Sequence, residues 1–324
     1  MKILITGIHG FVGANLVEYL KGTHEIYGLD IVAPKKEGVI KTFSWEELGN
    51  EELRRQNEDF PQFDAIIHLA GKAHDTKNKS GAEVYFKVNT GLTQKIFDYF
   101  LNSSSKKFVF FSTAKAAADR VDGVLTEEVV PSPVGPYGES NIKAEEYILE
   151  KLRIKNEELR IKNDKQVYIL RPCMIHGPGN KGNLNLLYSV VRKGIPWPLG
   201  AFENHRTFTS IENVCFVVNG LLTKDIVSGI YNMGDDEALS TNELIEVICD
   251  SLGKKVRIWR LPKSWMSGVA KIGGWFHLPL NPDRLQKLTE NYVSSNDKIK
   301  KALGIEKMPV DARDGLLRTL KSFE

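Results

Sequence analysis

Three glycines and an acid near the start of the chain, Gly7, Gly10, Gly13 and Asp30, have types and spacing suited to holding a nucleotide. Glycines let a backbone turn tightly and approach a pyrophosphate, whose charge then rests against the positive end of a helix. The acid accepts hydrogen bonds from ribose hydroxyls. Three glycines alone are a weak signal, because many loops carry them by chance. Here they follow the strand-like run Lys2-Ile3-Leu4-Ile5-Thr6 and precede Ala14 to Lys21, which reads as a helix with Leu16, Val17 and Leu20 on one side. A second strand run, Glu25-Ile26-Tyr27-Gly28-Leu29, stops on Asp30. Strand, glycine turn, helix, strand, acid is the order a dinucleotide site requires; a βαβ unit without a nucleotide is the alternative. Asp30 would accept from an adenosine 2′-hydroxyl and repel a 2′-phosphate, and Ile31 brings no compensating charge. NAD (NADH) is therefore expected over NADP.

The elements that must position these residues alternate along the first half of the chain. Asp64 to Gly71 reads as a strand, almost wholly apolar as a doubly covered parallel strand should be. An acidic helix from Glu46 to about Glu58 precedes it, and a helix from Val84 to Leu101 follows. Lys107 to Thr113 is the next strand, with its polar residues at the carboxyl end, where open α/β sheets hold ligands. A loop rich in proline and valine, Ala114 to Pro136, leads to a helix from about Tyr137. The near-repeat from Leu152 to Lys165 reads as an extension of that helix or as an exposed helical hairpin, without chemistry of its own. Gln166 to Pro172 is another buried strand. This alternation implies an α/β fold with a doubly wound parallel sheet.

Beyond Pro172 glycine and proline become frequent between shorter elements. Asn183 to Arg192, Ile211 to Thr223, Thr241 to Leu252 and Asn296 to Leu303 read as helices. The expected division is 1–172 for nucleotide binding, with the sheet completed by about 228–234, and 173–324 for a smaller, mostly helical substrate-binding part interleaved with it.

Composition bounds the rest. The 324 residues are 42% hydrophobic and 26% charged, an ordinary balance for a soluble globular chain. The net charge of +3 is spread out, so no nucleic-acid partner follows. Cys173, Cys215 and Cys249 lie far apart, which argues against a zinc site or disulfide framework and suits a reducing cytoplasm. The first residues enter a strand directly, leaving no room for a signal peptide. No apolar run is long enough for a membrane span. The nearest, Trp265 to Leu280, is interrupted by Lys271, His277 and Pro279. Its tryptophans and Phe276 are expected in a core or a subunit interface rather than on a membrane. The histidines show no metal-ligand spacing, and His68, ending a strand, reads as a buried structural histidine.

Taken in order, Thr6-Gly7-Ile8-His9-Gly10-Phe11-Val12-Gly13, Asp30, His68-Leu69-Ala70-Gly71, Val88-Asn89, Phe110-Phe111-Ser112-Thr113, Pro136-Tyr137-Gly138-Glu139-Ser140, Arg171-Pro172 and His176-Gly177-Pro178-Gly179 carry a resemblance. The chain resembles the extended short-chain dehydrogenase/reductase family over nearly its whole length, and within it the nucleotide-sugar 4-epimerase and 4-ketoreductase branch. The resemblance implies a Rossmann-type sheet and a cofactor site at Gly7, Gly10, Phe11, Val12, Gly13, Asp30 and Ile31. It adds Leu69, Ala70, Gly71 and Asn89 along the cofactor's middle, and Tyr137, Arg171 and Pro172 toward the nicotinamide; Ser44 and Trp45 lie where relatives contact the adenine. It also implies Thr113 as the hydroxyl residue and Tyr137 as the acid/base. A lysine one helical turn beyond the tyrosine would hold the nicotinamide ribose and lower the tyrosine's pKa.

That lysine is absent: Asn141 stands four residues after Tyr137. Lys143 cannot replace it, since at about 100° per residue it points roughly 240° around the helix from Tyr137. Tyr147 and Lys151 satisfy the spacing but lie about three turns into the helix, past the position that faces Thr113. Lys115, close in sequence to Thr113, is a candidate source of the charge. On the substrate side the resemblance implies Asn183 and Leu184 for a uridine diphosphate, and Arg206 and Arg284 for its phosphates, a role that suits arginine's fixed fork of donors.

The expected activity is an NAD-dependent epimerase or 4-ketoreductase acting at C4 of a UDP-linked hexose, as found in surface polysaccharide synthesis. A dehydratase is disfavoured, because Ala114, Lys115 and Ala116 follow Thr113 where an Asp-Glu pair would be needed. The alternatives are a non-catalytic NAD- or sugar-nucleotide-binding protein, which Asn141 motivates, and a reductase of another small ketone. Oligomeric state is open, a homodimer included.

Overall fold

The computed structural model describes residues 1–56, 60–73, 81–159, 164–180, 182–275 and 281–323. Its strands are β1 (Lys2–Thr6), β2 (Glu25–Leu29), β3 (Thr42–Phe43), β4 (Ala65–His68), β5 (Lys107–Phe111), β6 (Val124–Leu125), β7 (Gln166–Pro172), β8 (Met174–His176), β9 (Phe208–Ser210), β10 (Gly229–Met233) and β11 (Val293–Ser294). Seven of them form one parallel sheet in the order β10-β7-β5-β4-β1-β2-β3. The winding reverses between β1 and β4, and such a switch point opens a crevice at the carboxyl ends of the strands. Register brings three chain segments to that crevice together, because Thr6 pairs with both Leu29 and His68. The turns after β1, β2 and β4 therefore start level with one another.

Alternation along the strands builds a core on each face. Ile3 and Ile5 join Val109, Tyr168 and Leu170 beneath the helices Phe11–Leu20 and Ile211–Thr223. Leu4 joins Ile66, Phe108 and Ile169 beneath Gly91–Asn102 and Pro136–Leu159. A separate core lies in the later residues, where Leu184, Tyr188, Leu244, Ile248, Leu316 and Leu320 pack together.

Several boundaries move for local reasons. The first helix starts at Phe11 rather than Ala14, because extended Gly10 already caps it. The acidic segment breaks at Asn50, whose Oδ1 accepts from the Glu52 and Leu53 amides and starts a second helix; Glu58 lies outside the described residues. The helix expected from Val84 is continuous but interrupted by a π turn, running Ala82–Tyr85, Phe86–Thr90 and Gly91–Asn102. Helices Lys263–Trp275, Pro282–Thr289 and Ala312–Lys321 were not expected. The last carried a readable signal, since Asp311 accepts from the Asp314 amide at 2.8 Å as an N-cap. The core placement of the tryptophans is corrected too: Trp265 and Trp275 are 71% and 83% exposed, while Phe276 lies outside the described residues.

His68 is buried as expected, and its partners fix its state. Thr6 Oγ1 accepts from the Leu69 and Ala70 amides, so its own proton goes to His68 Nδ1 at 2.6 Å. His68 Nε2 then donates to Thr93 Oγ1 at 2.9 Å, and Thr93 donates to the Asn89 carbonyl at 2.6 Å. Burial pulls the His68 pKa from 6.5 to about 3. Folded imidazole stays neutral where unfolded imidazole takes a proton, so this contribution is present above pH 6.5 and is lost as pH falls toward 3. The urea midpoint should decline from pH 6.5 to about pH 4, and less steeply in His68→Gln. Equal slopes in the two proteins would contradict this.

Candidate active site

The first turn of the site is built as its glycines require. Gly7 has a φ of +67°, and a side chain there would press on Ala70 backbone atoms at 3.0 Å. A Cβ on Gly13 would meet the Gly7 carbonyl at 2.6 Å, so this glycine lets the helix sit tight on the turn. Gly10 caps the Phe11–Leu20 helix without a side-chain hydrogen bond, and no acid occupies its first turn. Its leading amides are thus not capped by an acidic or N-cap side chain, which is the electrostatic condition for a pyrophosphate. Phe11 and Val12 pack partly against the sheet core, leaving their backbone in that first turn. The Gly177-Pro178-Gly179 turn closes over it, with Asn15 Nδ2 donating to the Pro178 carbonyl at 3.2 Å.

Asp30 stands at the end of β2 beside this turn. Its Oδ2 accepts from the His9 amide at 3.1 Å and its Oδ1 from the Ile31 amide at 2.7 Å. Ile31 is 87% exposed. A carboxylate held by two amides, next to an uncharged neighbour, has the chemistry to accept from a ribose diol and to repel a phosphate. Ser44 has a structural duty instead, sharing a capping box with Glu47 at the start of the next helix.

Leu69, Ala70 and Gly71 follow β4 and face the Gly7 turn, anchored by the Thr6 hydroxyl. Asn89, in the π turn, ties this loop to the helix that carries Tyr137. Its Oδ1 accepts from the Lys72 amide at 2.6 Å, and its Nδ2 donates to the Lys72 carbonyl at 3.2 Å and to Ser140 Oγ at 2.9 Å. With its amide occupied in this way, Asn89 positions the loop.

Thr113 and Tyr137 come together across the crevice. Thr113 is buried just past β5, caps the short helix Ala114–Ala117, and lies close enough to the Tyr137 side chain to act on its pKa. Tyr137 is partly exposed. Burial raises its pKa above 10.0, the Thr113 hydrogen bond pulls it back, and Tyr85 raises it again. The Tyr85 and Tyr137 rings meet edge to face at 6.5 Å.

Neither Lys143 nor Lys115 takes the missing place. Asn141 is buried, and its Nδ2 donates to the Tyr137 carbonyl at 2.8 Å. Lys143 lies over the Phe86 ring at 5.0 Å. Tyr147 donates to Asp98 at 2.6 Å, which commits it to the neighbouring helix and removes it as an alternative to Tyr137. Lys115 is corrected as a source of charge: its Nζ donates to the Asp119 carbonyl at 2.6 Å and carboxylate at 3.1 Å, and lies over the Tyr292 ring at 4.6 Å. The ammonium is turned toward acids and away from the phenol.

Arg171 is also corrected. Its side chain does not reach the crevice: it is fully buried behind it, with Nε and Nη2 donating to Glu145 at 2.5 to 3.1 Å. Ser112 donates to the same carboxylate. Pro172 is the last residue of β7, paired with Met233. Glu145 was missed in the sequence, though Tyr137, Asn141 and Glu145 fall at a spacing of four, which puts one acid on the inward face of the helix.

On the substrate side Arg206 lies near the carboxyl end of the sheet, its backbone bridged to Leu239 and Tyr292. Its charge acts on Cys173, the residue that follows β7, and on Tyr292. The Leu184 side chain is buried in the second core, which leaves its backbone as the part that could meet a ligand. The side chains of Asn183 and Arg284 lie outside the described residues. Among the described residues, no cluster of histidine, cysteine, aspartate or glutamate could hold a metal.

Residues 3–234 match the NAD dependent epimerase/dehydratase family. A UDP-glucose 4-epimerase of Vibrio cholerae is 27% identical over 99% of this chain and 95% of its own length. The N-acetyl-alpha-D-glucosaminyl-diphospho-ditrans,octacis-undecaprenol 4-epimerase of Escherichia coli O157:H7 is 25% identical over 93% of this chain and 85% of its own. Among solved structures, the complex of Thermus thermophilus UDP-glucose 4-epimerase with NAD aligns with a TM-score of 0.72 at 23% identity, covering 100% of this chain and 99% of that one. The glycine turn, the helix end without an acid and the Asp30 carboxylate are what an NAD-dependent enzyme of this kind needs at its switch point. By sequence, and with a fold to match, the chain belongs to the NAD dependent epimerase/dehydratase family.

Proposed function

We propose that this enzyme is an NAD-dependent epimerase or 4-ketoreductase working at C4 of a UDP-linked hexose in surface polysaccharide precursor synthesis. The observation that carries the reading is the approach of Thr113 and Tyr137 to one another past the carboxyl end of β5, with Arg206 acting on Cys173 just past β7. Relatives named for UDP-glucose and for an undecaprenyl-diphosphate-linked sugar support a sugar diphosphate as the substrate class. Bound NAD supplies the hydride acceptor, or NADH the donor. Tyr137 Oη holds or delivers the proton of the C4 oxygen, and Thr113 Oγ1 orients that oxygen by a second hydrogen bond. Arg206 pairs with the diphosphate, and the second core encloses the sugar.

Of the two directions, the electrostatics favour reduction. A phenol raised by burial, with no cation among the described residues lowering its pKa, remains protonated, so it gives a proton to a carbonyl oxygen more readily than it takes one from a hydroxyl. Purified protein with NADH and a UDP-4-ketohexose should consume NADH; tight NAD binding with no turnover on any UDP-hexose or its ketone would favour a binding protein instead. Restoring the charge should speed the oxidative direction most. Asn141→Lys is expected to raise turnover about tenfold or more and to move the rise of oxidation with pH downward, as a cation lowers a phenol's pKa. An unchanged rate would mean that position 141 does not limit the enzyme.

A further inference from the structure

A buried acid behind the crevice ties the strand end that carries Thr113 to the helix that carries Tyr137. Glu145 stands about two helical turns beyond Tyr137 on the Pro136–Leu159 helix. Its Oε1 accepts from the Ser112 hydroxyl and from Arg171 Nε at 3.0 Å, and its Oε2 accepts from Arg171 Nη2 at 2.5 Å. Ser112, Glu145 and Arg171 are all buried. Ser112 follows β5 and immediately precedes Thr113, and its amide donates to the Leu170 carbonyl of β7 at 2.8 Å. One carboxylate therefore joins β5, β7 and the Tyr137 helix. A second contact fixes the same approach from the other end, since a Cβ on Gly138 would meet the Lys115 carbonyl at 2.6 Å. A buried ion pair is a poor way to gain stability, because a well-packed apolar pair of similar size often does as well or better. What an apolar pair lacks is direction. The Arg171 fork pins both carboxylate oxygens, and a pinned carboxylate gives the Ser112 hydroxyl a fixed place to point.

We propose that Ser112 is a positioning residue, which through Glu145 sets the separation of the Thr113 and Tyr137 side chains. The inference rests on the roles given to Thr113 and Tyr137 above. Held at its amide by β7 and at its hydroxyl by Glu145, Ser112 passes a fixed placement to the next residue, Thr113. Thr113 keeps an extended backbone, and its hydroxyl accepts from the Lys115 amide at 3.3 Å. Reacting groups must be held within about 0.5 Å of their productive geometry, and a misplacement of about 1 Å can cost about 10²-fold in rate. The Ser112–Glu145 bond restrains that separation without touching the substrate.

The test is the rate of NADH consumption in a single turnover with a UDP-4-ketohexose, read beside the urea midpoint, in Ser112→Ala and Glu145→Gln. Ser112→Ala keeps the Arg171–Glu145 ion pair. Its midpoint should stay near the parent's and its NADH affinity should hold, while its rate falls about tenfold or more. Glu145→Gln leaves the Arg171 charge unpaired but keeps an amide able to bond the Ser112 hydroxyl, so its midpoint should fall further and its rate less. Rates that rank with the midpoints would mark the bond as structural only and overturn the proposal. A Ser112→Ala rate within a factor of about two of the parent, with Tyr137→Phe slow, overturns it too and leaves the role of Tyr137 intact. Tyr137→Phe as fast as the parent overturns both. With a parent that does not turn over this ketone, crystal structures of the parent and Ser112→Ala decide. A change of about 0.5 Å or more in the separation of the Thr113 and Tyr137 hydroxyls supports the proposal, and an unchanged separation overturns it.

Discussion

Replacing Tyr137 by phenylalanine should lower turnover by about 10²- to 10⁴-fold, the usual contribution of a positioned acid or base. Affinity for NAD should hold, because the Gly7 turn, the Phe11–Leu20 helix and Asp30 lie elsewhere and keep their bonds. The loss follows from removing the one group proposed to hold or deliver the proton of the C4 oxygen. The pH profile of the unmodified enzyme should be asymmetric. With the phenol held above 10.0, reduction should stay level through neutral pH, whereas oxidation should climb with pH as the phenolate becomes available. Steady-state rates in both directions, with NAD binding measured by fluorescence, check this. Turnover in Tyr137→Phe within a factor of about ten of the parent would remove Tyr137 from the mechanism.

Glu145→Ala should cost about 3–5 kcal/mol of folding stability, because it leaves the Arg171 charge buried without its partner. Both groups are almost fully shielded, and Ser112 loses its acceptor as well. Urea unfolding measures the loss, and a change below about 1 kcal/mol would mean that water reaches Arg171. Replacing both charged residues by apolar ones, as in Glu145→Leu with Arg171→Met, should recover much of the loss, since a well-packed apolar pair carries no desolvation penalty. If the ion pair also sets the pose of Tyr137, the recovered protein should remain slow.

The dinucleotide half of the site was legible because its determinants are local. Gly7, Gly10, Gly13 and Asp30 lie within thirty residues, and each glycine has a backbone reason that spacing can express. Tyr137 opposite Thr113 was legible only through family resemblance, since twenty-four residues of loop and helix separate them. What escaped depends on distant partners. Arg171 looked like a cofactor contact until Glu145, 26 positions away, was seen to hold it. Lys115 looked free to serve Tyr137 until Asp119 and the ring of Tyr292 were found around it. Of the two places expected for the tryptophans of the Lys263–Trp275 helix, a core or a subunit interface, their exposure removes the core.

The π turn at Phe86–Thr90 acts as a phase shifter between two parts of one helix. Downstream, Ile96, Phe97 and Phe100 must point at the sheet. Upstream, Tyr85 must point at Tyr137. A regular helix advances about 100° per residue, so one uninterrupted register would have to satisfy both demands at once. Widening a single turn decouples them and also points Asn89 inward, where its amide reaches Lys72 and Ser140. The aim of the crevice can therefore be tuned from one end of this helix while the sheet keeps its packing at the other.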